Sequence, residues 1–171
     1  MKVKDGRAQP LVICHFEDEP GKVVLPEIIY LGLDDTDGVI DARINWPVER
    51  DRYTISFNYL DVHQTLIYFV ERTEAAMATA LKSLGNCRKI LYIVDTSLGS
   101  DKSAGTKIVR NLVRSGVDSD AIWMLTAYGN EALRQIREMK LAVNVISKPP
   151  DFADLCDKIL RLIAEHVGTD A

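Results

Sequence analysis

A chain of 171 residues, 47% hydrophobic and 27% charged, has the composition of a globular domain and not of a disordered or fibrous segment. At that length roughly 70% of the unfolded surface can be buried, so no disulfide or metal staple is required. The formal net charge of −4, with no basic stripe along the chain, argues against a nucleic-acid surface.

In chain order, the N-terminus MKVKDGRAQP is polar and lacks the apolar core of a signal peptide. Residues 11–16 (LVICHF) are a short apolar run that breaks into acid at Glu17, Asp18 and Glu19, which reads as a fully buried strand. His15 lies inside it and reads as a core or sheet-packing histidine. Residues 20–64 then break the pattern of the rest. LPEIIYLGL fits either a shortened helix or a strand. VIDARINW and RYTISFNYL alternate with period two, separated by Pro47 to Arg52, and imply a β-hairpin or small subdomain inserted after the first strand. Trp46, Tyr53, Phe57 and Tyr59 read as that insertion's own small core.

From residue 65 the rhythm is regular. Residues 65–70 (TLIYFV) form a strand, and residues 73–84 a helix with Thr73 as N-cap and Gly85 as terminator. Residues 89–94 (KILYIV) are a strand ending at Asp95. Residues 106–115 carry Ile108, Val109, Leu112 and Val113 on one helical stripe, closed by Gly116. A strand over 121–125 ends at Thr126, a helix covers 130–140, a strand over 142–147 ends at Lys148, and an amphipathic helix covers 151–167. Strands alternating with helices imply βαβ units and a five-stranded parallel sheet with helices on both faces. The whole chain, 1–171, reads as one such domain carrying the 20–64 insertion. Cys14, Cys87 and Cys156 lie far apart without metal spacing, as expected of thiols in a reducing compartment. No apolar run nears the ~20 residues of a bilayer span. A cytoplasmic protein free of membranes and nucleic acid is the expectation.

Chemistry collects at the strand carboxyl ends, where open α/β sheets form their ligand crevice. Glu17 and Asp18 follow the first strand, Asp95 ends the third, Thr126 the fourth and Lys148 the fifth. Carboxylates gathered in one place repel one another unless a cation neutralises them, and Mg²⁺ suits an all-oxygen site. A carboxylate can also attack phosphorus, with lysine, hydroxyl and cation stabilising the phosphoryl oxygens.

The segments FEDEP, YIVDTSLG, MLTAYG and ISKPP resemble the four marker segments of response-regulator receiver domains, in the family's order. The resemblance implies a doubly wound, flavodoxin-like sheet of five parallel strands and a phosphoacceptor in a two-component signalling system. Asp95 would take the phosphoryl group. Glu17 and Asp18, with Asp95 and the backbone carbonyl of Ser97, would hold Mg²⁺. Thr126 would be the switch hydroxyl, and Lys148, before a cis bond to Pro149, would contact the phosphoryl group. The donor would be a histidine kinase or histidine phosphotransfer protein. Output would pass through contact with a further protein partner, a homodimer being possible, and no turnover enzyme is implied beyond slow autodephosphorylation. The sequence departs from the family at Val145, where a switch aromatic is usual, and in the loop after Asp95, which is long by about two residues. Pro150 also stands where an aromatic often follows. Two other readings compete. One is a pseudo-receiver that binds partners without being phosphorylated. The other is a haloacid-dehalogenase-type phosphatase using Asp35 and Asp37 of the DDTDG segment, which otherwise reads as a turn.

Overall fold

The structure is a computed structural model that describes residues 10–19, 23, 25–45, 51–85, 89–95, 104–126, 134, 137–138, 140, 143–147, 157–159 and 161–162. At its centre lies β1 (Leu11–Phe16), every residue of which is buried. A strand can be apolar throughout only if both of its faces are covered. Leu11 and Ile13 enter one core, and Val12, Cys14 and Phe16 enter another on the opposite face. The period of two sorts alternate residues between them.

The remaining strands are β2 (Val39–Asn45), β3 (Arg52–Tyr59), β4 (Val62–Glu71), β5 (Lys89–Asp95), β6 (Ile122–Thr126) and β7 (Asn144–Ser147). They form one seven-stranded sheet in the order β2-β3-β4-β1-β5-β6-β7. β1 pairs in parallel with β4 and β5, and β5–β6 and β6–β7 are also parallel. β2–β3 and β3–β4 are antiparallel. The expectation of a five-stranded, all-parallel, flavodoxin-like sheet is therefore corrected: the sheet is mixed and has seven strands. The cause is β3, which hydrogen-bonds to β4 along its whole length, from Arg52↔Phe69 to Tyr59↔Val62. The hairpin continues the main sheet and is no separate appendage.

The expectation of a private core for the 20–64 segment is corrected for the same reason. Tyr53, Ile55 and Phe57 are buried together with Ile13, Leu66, Tyr68 and Ile93 in the main core. Trp46 lies outside the described residues. The segment LPEIIYLGL is helical, as α1 (Leu25–Asp34), and its buried Leu25, Ile29 and Leu33 recur every four residues against that core. Burying three such side chains contributes roughly 5–9 kcal/mol before entropy losses. Pro26 sits in the first turn, where a missing N–H costs nothing. At the helix exit Gly38 adopts φ +86, and a Cβ there would lie 3.3 Å from the Tyr59 ring.

The opposite core receives α2 (Glu74–Lys82) through Met77 and α3 (Ala104–Arg114) through Ile108 and Val109. Thr73 caps α2, its hydroxyl accepting from Ala76 N–H at 3.1 Å. A single 3₁₀ turn, Ser119–Ala121, leads into β6, and Asp120 pairs with Lys158 at 3.0 Å. Residues 134, 137–138, 157–159 and 161–162 are helical, and Ile159 is buried in the α1-side core. Among the described residues no helix is long and apolar enough to cross a membrane.

Candidate functional site

The parallel register of β1 and β5 builds the site. His15 lies beside Ile93 and Phe16 beside Val94, so Glu17, one residue past β1, comes abreast of Asp95 at the end of β5. His15, Glu17, Ile93 and Asp95 share the sheet face that carries the α1-side core, because each is two residues from the next on its strand. Ligand atoms of His15, Glu17 and Asp95 all lie within 4.8 Å of one another. His15 is 3% exposed and Asp95 2%, while Glu17 is half-buried.

Backbone groups fix the acidic turn. Glu17 N–H donates to Glu71 C=O at 3.1 Å, tying the turn to the end of β4. Glu17 Oε1 accepts from Asp18 N–H at 2.9 Å and from Glu19 N–H at 3.2 Å. The Glu17 carboxyl is pushed up to about 9. Burial is the main cause, followed by hydrogen bonds to the carboxylates of Asp95 and Asp18 and by repulsion from Asp95; the Glu19 N–H opposes the rise. Glu71, at the end of β4, is also raised, by burial and by the charge of Asp51.

His15 is also held by a neighbouring strand. Its Nδ1 is hydrogen-bonded to the Tyr68 hydroxyl, and the two rings meet edge to face at 5.7 Å. Tyr68 in turn meets Tyr53 edge to face at 6.1 Å. A ladder of rings from β3 through β4 thus ends on the imidazole beside the two acids.

Of the residues expected at the site, Glu17 and Asp95 are brought together. Asp18 bonds to the Glu17 carboxyl but lies outside the group of converging ligand atoms. Thr126 ends β6 beside Ser147, one residue beyond the Asp95–Leu125 pair; its side chain lies outside the described residues. Ser97, Lys148, Pro149 and Pro150 also lie outside them. Val145 is half-buried in β7 and packs against the α2/α3-side core. Asp35 and Asp37 are exposed in the turn between α1 and β2. The DDTDG segment runs from the end of a helix and forms a turn.

His15 is the residue that sequence reasoning missed as a member of the site. The signal was present as parity: two residues before Glu17 on one strand, its side chain must share the face of that acid.

The donor set fits a divalent cation. Atoms about 2.1 Å from one ion are at most about 4.2 Å apart, close to the present spread. A half-buried glutamate whose carboxyl is pushed up beside a second acid is also what a cation would relieve. No protein-family model matches this chain, and no curated protein matches it.

Proposed function

We propose that the chain is a phosphoacceptor of the receiver kind, with Asp95 as the acceptor. The observation that carries the proposal is the convergence of Glu17 and the buried Asp95 at the carboxyl edge of the sheet, with ligand atoms within 4.8 Å of one another. The raised Glu17 carboxyl beside Asp95 is what a divalent cation would relieve, and Mg²⁺ is the ion that the resemblance implies. When bound, the cation neutralises the acids and the incoming phosphoryl oxygens.

The carboxylate oxygen of Asp95 attacks phosphorus of a phosphohistidine donor. An O–P bond forms, the N–P bond breaks, and the donor imidazole leaves with the electron pair and takes up a proton. The Glu17 carboxyl must give up its proton first, because its hydrogen bond to Asp95 occupies electron density that the nucleophile needs. The consequence is a changed charge at the ends of β1 and β5, read by a protein partner.

Metal-stripped full-length protein, given Mg²⁺ and beryllofluoride, should form an adduct seen by fluorine NMR. Asp95→Asn should abolish it and Asp35→Asn should leave it intact. An adduct that survives Asp95→Asn would refute the assignment. The absence of any adduct in the wild type would leave the constitutive binding module, the reading that Val145 in place of an aromatic favours.

A further inference from the structure

We infer that His15 is a third metal ligand beside Glu17 and Asp95, and that its imidazole makes the centre select a borderline transition ion such as Co²⁺ or Zn²⁺ over Mg²⁺. The inference rests on the Glu17–Asp95 pair holding a cation, but not on phosphoryl transfer.

Three observations carry it. A ring nitrogen of His15 lies within 4.8 Å of both carboxylates, on the same face of adjacent strands. His15 is only 3% exposed, so its imidazole is shielded from bulk water. Its Nδ1 is engaged by Tyr68, in the arrangement that metal-binding histidines use to fix ring and tautomer. With Nδ1–H donating to the Tyr68 hydroxyl oxygen, the lone pair sits on Nε2, on the opposite side of the ring. Tyr68 is then a positioning residue, and its own placement is set by Tyr53.

The donor chemistry decides the ion. Mg²⁺ prefers oxygen and keeps its waters, so an imidazole adds little to its binding. Imidazole suits zinc, copper, nickel and iron, and affinity at a mixed nitrogen–oxygen site rises along the first-row series. Glu17 and Asp95 alone would take Mg²⁺ weakly, and His15 converts the pair into a site for a softer ion.

The test uses full-length protein on a His63→Gln, His166→Gln background, which leaves His15 as the sole histidine. Metal is stripped and Co²⁺ added at pH 7.5, with no phosphodonor. Proton NMR should show one strongly shifted, exchangeable resonance from the imidazole N–H of a cobalt-bound histidine. Adding His15→Gln should remove that resonance and weaken Co²⁺ by about 10–100-fold, with Mg²⁺ affinity changed less than about twofold. Tyr68→Phe should keep Co²⁺ bound and accelerate exchange of that proton. Co²⁺ bound without a shifted N–H resonance, or no Co²⁺ bound, would overturn the inference even if His15→Gln failed to fold. A parallel loss of Co²⁺ and Mg²⁺ in a folded His15→Gln would overturn it too. Nitrogen ligation without a beryllofluoride adduct would refute the phosphoacceptor reading alone, and an adduct without nitrogen ligation would refute this one alone.

Discussion

Glu17 holds a proton at neutral pH that a solvated glutamate would have lost, and this gives the protein a pH-dependent stability. Its carboxyl titrates near 4.5 when unfolded and about 9 when folded. The folded state therefore binds the extra proton, so the contribution is fully present below about pH 4.5 and is lost as pH rises through about 9. In chelator, the melting temperature should fall from pH 5 to pH 9, and Glu17→Gln should flatten that slope. A slope unchanged in Glu17→Gln would show that the proton is held elsewhere. A divalent cation competes for the same oxygens, so calorimetry at pH 7 in buffers of different ionisation enthalpy should show about one proton released per ion bound. Glu17 and Asp95 were legible in the sequence because acids at the ends of apolar strands are conspicuous. His15 was not, because inside an apolar run it looks like packing, and only the parallel pairing with β5 shows what its face meets.

The helix α1 and the β3–β4 turn show how elements were read. LPEIIYLGL satisfied both periods at sequence level, and burial of Leu25, Ile29 and Leu33 in the core that holds Tyr53, Ile55 and Phe57 made it a helix. The turn was missed because Leu60–Asp61 lacks the usual hairpin residues. Tyr59 pairs with Val62, and Leu60 and Asp61 adopt φ 49 and φ 64, the two left-handed positions of a type I′ turn. Leu60 does not suit its position and is 67% exposed at the tip, and Asp61 stands where glycine is preferred. Replacing the pair by Asn-Gly should raise unfolding free energy by about 1 kcal/mol, measured by urea denaturation. No gain would mean that the Leu60 side chain makes a compensating contact.

At the scale of the whole molecule, the sheet is buried at its centre and thin at one edge. β1 is covered on both faces, whereas β2 is an edge strand with Ile40 exposed and a register shift between Ile40 and Arg43. Asp41, at φ 57, makes that irregularity, a device that keeps edges from pairing with other chains. Native-state hydrogen exchange should give the slowest amides in β1 and β5 and the fastest strand amides in β2. Protection of β2 equal to that of β1 would indicate a partner on the edge.

The sequence by itself determined that the segments around 11–16, 73–84, 89–94, 106–115 and 121–125 are strands and helices, and it set the acids at strand ends, because burial on two faces and turn chemistry are written in local patterns. Thr73, Gly85 and the run LVICHF each act through their immediate neighbours. Which strands lie side by side was decided only in the tertiary structure. Period two says that Tyr53, Ile55 and Phe57 share a face, but not whether that face covers a private core or extends a common one. Backbone pairing of β3 with β4 settled the choice and changed a five-stranded parallel expectation into a seven-stranded mixed sheet. The same non-local pairing, β1 against β5, turned two acids and a histidine into one cluster. Hydrogen bonds between strands join residues dozens of positions apart, and no local pattern specifies their partners.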